Sequence, residues 1–335
     1  MVYTDNIKNK KILFFAPTFF GYEIAIFEKL KQMGAEVDYF DERPKNNFIT
    51  KACIRINRKL LERKIVSYYH SIFKKTIHKQ YDYVFVINIE AMLPSLLNKL
   101  REQQSQAEFI LYMWDSLQNK KRTHESLPFF NKIYSFDPTD AKILSRVKFR
   151  PLFFTDEYGE LAENSLTPKY GLCFIGTVHS DRYLLVEQIK EQVKEFGLQS
   201  LFFMFFPSPV LFYYKKIRDL KFYKAKFSEF NFRPLSQRVT IQYIRESAVI
   251  LDVHHPAQTG LTMRTLEMLG ANKKIITTNP FVRDYDFFHP QNILIIDRER
   301  PVIGRSFFDE KYLPIDPKIK DKYSLDGWLM EIFGI

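Results

Sequence analysis

The segment from Asp252 to Asn279 constrains this chain more than any other stretch: Asp-Val-His-His-Pro-Ala-Gln-Thr-Gly-Leu-Thr-Met-Arg-Thr-Leu-Glu-Met-Leu-Gly-Ala-Asn-Lys-Lys-Ile-Ile-Thr-Thr-Asn. Its pattern is strand end, polar loop, short helix, strand. The run 248–253 is apolar on both faces, as a buried parallel strand must be. The loop 254–260 then offers imidazole, amide and hydroxyl groups (His254, His255, Gln258, Thr259) and ends in Gly260. Thr262 suits a helix cap, with Met263, Leu266 and Leu269 on the apolar side. Gly270 is expected to close that helix, and 274–278 to form the next strand. Arg264 and Glu267, three residues apart, share another face near the helix start. Free N–H groups, the helix dipole and an adjacent arginine all favour an anion such as a diphosphate. Glu267, one turn further in, suits ribose hydroxyls. The competing reading is an ordinary βαβ unit in which Arg264 and Glu267 pair with each other.

The rest of the chain is compatible with a two-domain α/β protein. Its 335 residues exceed one typical core and suit two domains of about 150 residues each. The first half carries a strand at 11–16, a turn through Thr18 and Gly21, a helix to Gln32, and a second strand at 36–40. Further strands are expected at 82–88, 108–113 and 132–135, with a helix near 94–104. Glu90 and Asp115 follow two of these strands at their carboxyl ends, where open α/β sheets bind ligands. Asp137 and Thr139 read as turn and cap residues. Around 151–168 the composition shifts to Asp, Glu, Gly, Asn and Pro, that of an interdomain linker. A fresh strand at 170–175 runs into Gly176, Thr177, His179, Ser180, Asp181 and Arg182, with a helix at 183–196. A last strand is expected at 292–297, and an apolar-faced helix at 323–333.

Charge narrows the partner. Fifty Lys+Arg against thirty-nine Asp+Glu leave +11, which favours an anionic partner. Two basic blocks carry aromatics. One runs from Lys51 to Lys79 and has the spacing of an amphipathic helix; the other runs from Phe202 to Arg233. Such segments suit an anionic membrane surface, or equally a solvated basic face over an aromatic core. No recognised nucleic-acid-binding motif is present, so nucleic acid is not an expected partner. Cys53 and Cys173 match no metal or redox spacing. The polar amino terminus lacks signal-peptide features and no apolar run reaches 18 residues, so a cytoplasmic protein is expected.

The segment at 252–279 resembles the donor-binding signature of GT-B glycosyltransferases. The likeness is strongest to the group-1 and spore-maturation-type transferases of bacterial capsule, exopolysaccharide and lipopolysaccharide clusters. Their pattern, G-x-x-x-R-x-x-E-x-x-x-x-G-x-x-x-I/V-x-T, is met by Gly260, Arg264, Glu267, Gly270 (one residue short of the usual spacing), Ile276 and Thr277. Relatives often carry a second Glu eight residues before the first; Thr259 stands there in this chain.

The resemblance implies two Rossmann-like, doubly wound domains facing a central cleft, with a C-terminal helix crossing back to the first. The expected domains are 1–160 on the acceptor side, 161–320 for the nucleotide sugar, and 321–335 as the crossover helix. The implied function is transfer of a sugar from a nucleotide-sugar donor to a glycan or lipid-linked acceptor, at a peripheral position on the inner membrane face. Donor contacts fall to Gly176, Thr177, His179, Arg182, His254, His255, Gln258, Thr259, Gly260, Thr262, Arg264 and Glu267. Thr18 and Gly21 face the acceptor, and Asp115 or Glu90 acts as general base. Arg264, Arg182 and helix N-termini would stabilise the leaving phosphate, so no metal or other cofactor is expected. Two other classes fit the same residues: a GT-B-shaped epimerase or hydrolase of nucleotide sugars, and a non-catalytic partner that binds membrane or glycan.

Overall fold

A computed structural model of the chain describes residues 7–163, 167–178 and 182–335. They divide into two compact units. The first takes the described residues up to Leu152 together with Gln258–Gly260 and Leu325–Ile335, and the second takes Phe153–Ala257 and Leu261–Ser324.

In the first unit strands and helices alternate: β1 (Lys11–Ala16), α1 (Tyr22–Gln32), β2 (Glu36–Asp41), α2 (Phe48–Asn57), α3 (Glu62–Thr76), β3 (Tyr83–Ile87), α4 (Pro94–Gln103), β4 (Glu108–Met113), β5 (Lys132–Ser135), α5 (Pro138–Ile143) and β6 (Val147–Phe149). The strands form one parallel sheet in the order β2-β1-β3-β4-β5-β6. Because both faces are covered, its inner strands are apolar at nearly every position. On one face Leu13, Phe15, Val84 and Val86 pack with Ile65, Tyr69, Ile72 and Phe73 of α3. On the other, Phe14 stacks on Phe85 with ring centroids 5.3 Å apart.

The second unit holds α6 (Asp156–Gly159), β7 (Tyr170–Thr177), α7 (Arg182–Glu195), β8 (Ser200–Phe205), α8 (Pro209–Arg218), β9 (Phe230–Asn231), α9 (Gln237–Arg245), β10 (Ser247–Asp252), α10 (Met263–Gly270), β11 (Lys274–Thr277), β12 (Ile293–Ile295), α11 (Ser306–Asp309) and α12 (Pro317–Lys322). Its sheet is also parallel throughout, ordered β12-β11-β10-β7-β8-β9. The last helix, α13 (Leu325–Phe333), belongs to the first unit. There Trp328 is fully buried, edge-on to Tyr112 with ring centroids 4.7 Å apart.

Three local expectations change. The basic run from Lys51 to Lys79 is two α-helices, not one, because Asn57 leaves the helical region and its side chain accepts from the Lys59 N–H at 3.2 Å. Gly270 is the last residue of α10 but not its left-handed cap: that residue is Asn272, at φ 51°. A Cβ on Gly270 would lie 2.5 Å from the Phe154 ring, so the glycine makes room for that packing. Third, the polar stretch after Leu152 buries Phe153, Phe154, Tyr158 and Leu161. No described helix is long and apolar enough to cross a membrane.

Candidate functional site

Each sheet has one point where the strand order reverses. In doubly wound sheets ligands bind outside the carboxyl ends of the strands flanking that point. In the second unit it lies between β7 and β10, which pair directly. Gly176 and Thr177 end β7, Arg182 opens α7, Asp252 ends β10, and His254 and His255 follow it. Thr262 and Arg264 stand at the start of α10. These expected residues therefore gather at one end of one sheet. His179, with Ser180 and Asp181, lies outside the described residues.

Asp252, which the sequence reading passed over, fastens this end together. Its buried carboxylate accepts from the Thr262 hydroxyl at 2.9 Å and the Thr265 hydroxyl at 3.0 Å, tying the α10 N-terminus to the end of β10. Burial pushes its carboxyl up, against the two threonine hydrogen bonds. Thr262 is the N-cap, its side chain accepting from the Thr265 N–H at 3.3 Å. Arg182 donates to the Thr177 carbonyl at 3.1 Å. His254 is a buried histidine with Nδ1 2.7 Å from the Thr278 hydroxyl, whereas His255 is exposed. Arg298 donates to the His254 carbonyl at 2.9 Å.

Arg264 and Glu267 pair with each other at 3.0 Å, and Glu267 is only 2% exposed. Tyr158 adjoins them: burial raises its phenol, with Glu267 adding to the rise and Arg264 opposing it. Arg264, about one-fifth exposed, is the reachable member.

Gln258, Thr259 and Gly260 group with the first unit. Gln258 Nε2 donates to Asp115 at 3.0 Å, and the Thr259 hydroxyl bonds Asp137 and lies 2.8 Å from that of Thr139. A Cβ on Gly260 would come within 2.7 Å of the Phe136 ring and carbonyl, so only glycine fits. Asp137 caps α5, accepting from the Thr139 N–H at 3.0 Å, as its reading as a cap residue anticipated.

The first sheet reverses between β1 and β3. After β1, Thr18 donates to Asp41 through its N–H at 3.1 Å and its hydroxyl at 2.5 Å. Gly21, at φ 85°, starts α1. After β3, Asn88 is left-handed at φ 52° and Glu90 is almost fully enclosed. Arg43 reaches Glu90 at 2.8 Å, and Lys120 bonds it on the other oxygen. Burial would raise the Glu90 carboxyl, but Lys120 and Arg43 outweigh it and hold it below its ordinary value. A carboxylate gripped by two cations makes a weak base. Asp115, at the end of β4, lies 3.1 Å from Lys120 and keeps 31% of its side chain exposed.

Glu42 was also missed. Its Oε1 accepts three successive backbone N–H groups, from Glu90 at 2.8 Å, Ala91 at 2.5 Å and Met92 at 2.9 Å. Local sequence offers no signal for this, since partner and acceptor are nearly fifty residues apart.

The expectation that no metal is used assumes a chain without an Asp-x-Asp triplet; one occurs, Asp284-Tyr285-Asp286. Asp286 is occupied by Lys322 at 2.8 Å and the Tyr323 hydroxyl at 2.6 Å. Among the described residues no three His, Cys, Asp or Glu side chains converge as metal ligands would.

No family model and no curated protein matches the sequence. Solved structures do match over nearly the whole chain. An α,α-trehalose-phosphate synthase (UDP-forming) from Burkholderia xenovorans, in complex with glucose-6-phosphate, superposes with TM-score 0.60 at 10% identity, covering 96% of this chain and 99% of that one. The lipopolysaccharide outer core galactosyltransferase WaaB, in its apo form, gives TM-score 0.52 at 12% identity, covering 97% and 99%. The UDP-GlcNAc 2-epimerase of Methanocaldococcus jannaschii, in complex with UDP-GlcNAc and UDP, gives 0.52 at 10%, again covering 97% and 99%. At such identities the likeness is one of fold. Two parallel, doubly wound sheets and a final helix that returns to the first unit give this chain the GT-B fold, which glycosyltransferases share with nucleotide-sugar epimerases.

Proposed function

We propose that this protein is a glycosyltransferase that moves a sugar from a nucleotide-sugar donor to a glycan acceptor, the second unit holding the donor and the first the acceptor. The observation that carries the reading is the cluster of Thr177, Arg182, Thr262 and Arg264 at the reversal point of the second sheet. Helix N–H groups and guanidinium groups there suit the charge that a leaving diphosphate gains as the anomeric carbon–oxygen bond breaks. Asp115 takes the proton of the attacking acceptor hydroxyl. Arg264 and Arg182 do the work that a bound metal does elsewhere.

The test is thermal stabilisation by UDP-, GDP-, CMP- and dTDP-sugars. A donor at about 100 times its dissociation constant adds roughly 2.7 kcal/mol. Arg264→Ala is expected to weaken the stabilising nucleotide about tenfold, the loss of one charge-assisted contact. Equal stabilisation of variant and wild type would remove Arg264 from the site. The epimerase reading draws on the M. jannaschii neighbour, whose TM-score equals that of the galactosyltransferase. Product analysis separates the two: an epimerase turns over nucleotide sugar with no acceptor present.

A lipid-linked acceptor is supported by the surface of α8 and the turns after it. Val210 is 76% exposed, Ile217 85% and Leu220 90%, with Tyr213, Tyr214 and Tyr223 also exposed. Lys215, Lys216, Arg218 and Lys224 lie among them. Apolar side chains ringed by cations match the interface of an anionic bilayer. Sedimentation with vesicles of phosphatidylglycerol at low salt is expected to carry the protein down, and Ile217→Asp with Leu220→Asp to release it. A protein that stays in the supernatant would separate the enzyme from the membrane.

A further inference from the structure

The first unit also holds a cavity of its own, beside the Glu90–Lys120 ion pair. That cavity, of about 540 Å³, is walled by Ile54, Arg58, Ile89, Lys120 and Arg122, with one carboxylate, Glu90, which Lys120 and Arg43 neutralise. That volume falls in the range of about 300–1,000 Å³ typical of small-molecule sites. We propose that this cavity is a subsite for a phosphate group carried by the acceptor, with Arg58 and Arg122 as its ligands. The proposal rests on the reading of the first unit as the acceptor side and deepens it.

The charges on the wall are unevenly answered. Lys120 is shared between Glu90 and Asp115, at 3.1 Å from the latter. Arg58 donates to the carbonyls of Glu90 at 3.4 Å and Met92 at 3.3 Å. Its nearest carboxylate, Glu125, is 3.8 Å away and mostly in solvent. Arg122 donates to the carbonyls of Ile54 at 3.5 Å and Ile56 at 3.0 Å. Among the described residues no carboxylate lies within ion-pair distance of Arg122.

The carbonyls that hold Arg122 belong to the last turn of α2 and those that hold Arg58 to the turn after β3, so each arginine is fixed by backbone groups that carry no formal charge. Burial holds the Arg58 guanidinium below its usual value, and Arg122 adds repulsion that Glu125 opposes. Two mutually repelling guanidinium groups on one cavity wall are stabilised by a ligand that accepts from both. A phosphate does so with paired oxygens, and the planar fork of arginine suits it bidentately. The apolar side chains of Ile54 and Ile89 on the same wall suit the body of the ligand.

The experiment is calorimetric titration of the full chain at fixed ionic strength with glycerol 3-phosphate, glycerol, glucuronate and vesicles of phosphatidylglycerol. Each titration is run in saturating UDP, which blocks phosphate binding by the second unit. A separate UDP titration reports on the donor reading alone, so failure of one is not failure of the other. Glycerol 3-phosphate is expected to bind saturably, glycerol and glucuronate not. Arg122→Gln is expected to weaken it about tenfold or more, and Arg122→Lys, which keeps charge without the fork, by less. Arg122-dependent binding confined to vesicles supports the same site with a lipid phosphodiester as its source. Binding unchanged in Arg122→Gln, or equal binding of glucuronate, would overturn the proposal. Circular dichroism spectra matching wild type establish that a loss is not unfolding.

Discussion

Asp115→Asn is expected to lower acceptor-dependent turnover by about 10²–10⁴-fold, the usual loss on removing a general base, with donor affinity nearly unchanged. Asp115 lies two residues beyond β4 in the first unit, whereas the nucleotide is proposed to bind the second, so the substitution is expected to affect proton transfer and not donor binding. Asparagine keeps the shape and one acceptor oxygen for Lys120, at 3.1 Å in the wild type. What it loses is the ability to take a proton. Glu90 provides the contrast. Its carboxylate is enclosed between Arg43 and Lys120, and Glu90→Gln is a change to an ion-pair network more than to a base. Measurement of kcat and of nucleotide affinity for Asp115→Asn separates the possibilities. Retention of turnover within about threefold would move the base elsewhere, because a true base contributes at least two orders of magnitude.

The elements legible in the sequence are those written by local pattern. The apolar runs at β1, β3, β10 and β11 are buried on both faces, and the Thr262 cap needs only its own helix. Parallel strands separated by helices then imply a doubly wound sheet, and strand ends imply where ligands go. What stayed hidden depends on partners distant in sequence. Gly270 reads as a helix terminator, yet its smallness serves Phe154, more than a hundred residues earlier. Thr259 and Gly260 read as donor-loop residues, yet they sit against Asp137 and Phe136. The pairing of Arg264 with Glu267 was open as an alternative in the sequence, since residues three apart on a helix are neighbours. Its tie to Tyr158 was not, because α6 lies in a stretch whose composition reads as linker. Short edge strands such as β6 and β9 carry too few residues to show a period.

Glu42 carries a large pH effect in the neutral range. It follows the edge strand β2, where its N–H donates to the Ala16 carbonyl at 3.1 Å, and its side chain reaches the turn after β3. Its side chain is fully enclosed, and its Oε2 has no hydrogen-bond partner among the described residues. Burial, with the neighbouring Glu90 carboxylate, pushes its carboxyl up to about 8, against the backbone hydrogen bonds of Met92 and Glu90. As a neutral acid Glu42 still serves those N–H groups through Oε1 and keeps the proton on Oε2. In the unfolded chain the same group ionises near its ordinary 4.5. Between those two values the native state holds a proton that the unfolded state releases, so stability falls as pH rises through the window. Above about pH 8 the two states ionise alike and the decline from this group stops. A displacement of this size is worth roughly 5 kcal/mol. Glu90, held low by Lys120 and Arg43, acts in the opposite sense and costs stability only when acid protonates it. Glu42→Gln keeps an oxygen for the three N–H groups and cannot ionise. Urea unfolding between pH 5 and 9 is therefore expected to give a falling curve for wild type and a nearly level one for the variant. Parallel curves would mean that Glu42 is already a carboxylate at pH 5, held ionised by its three backbone hydrogen bonds.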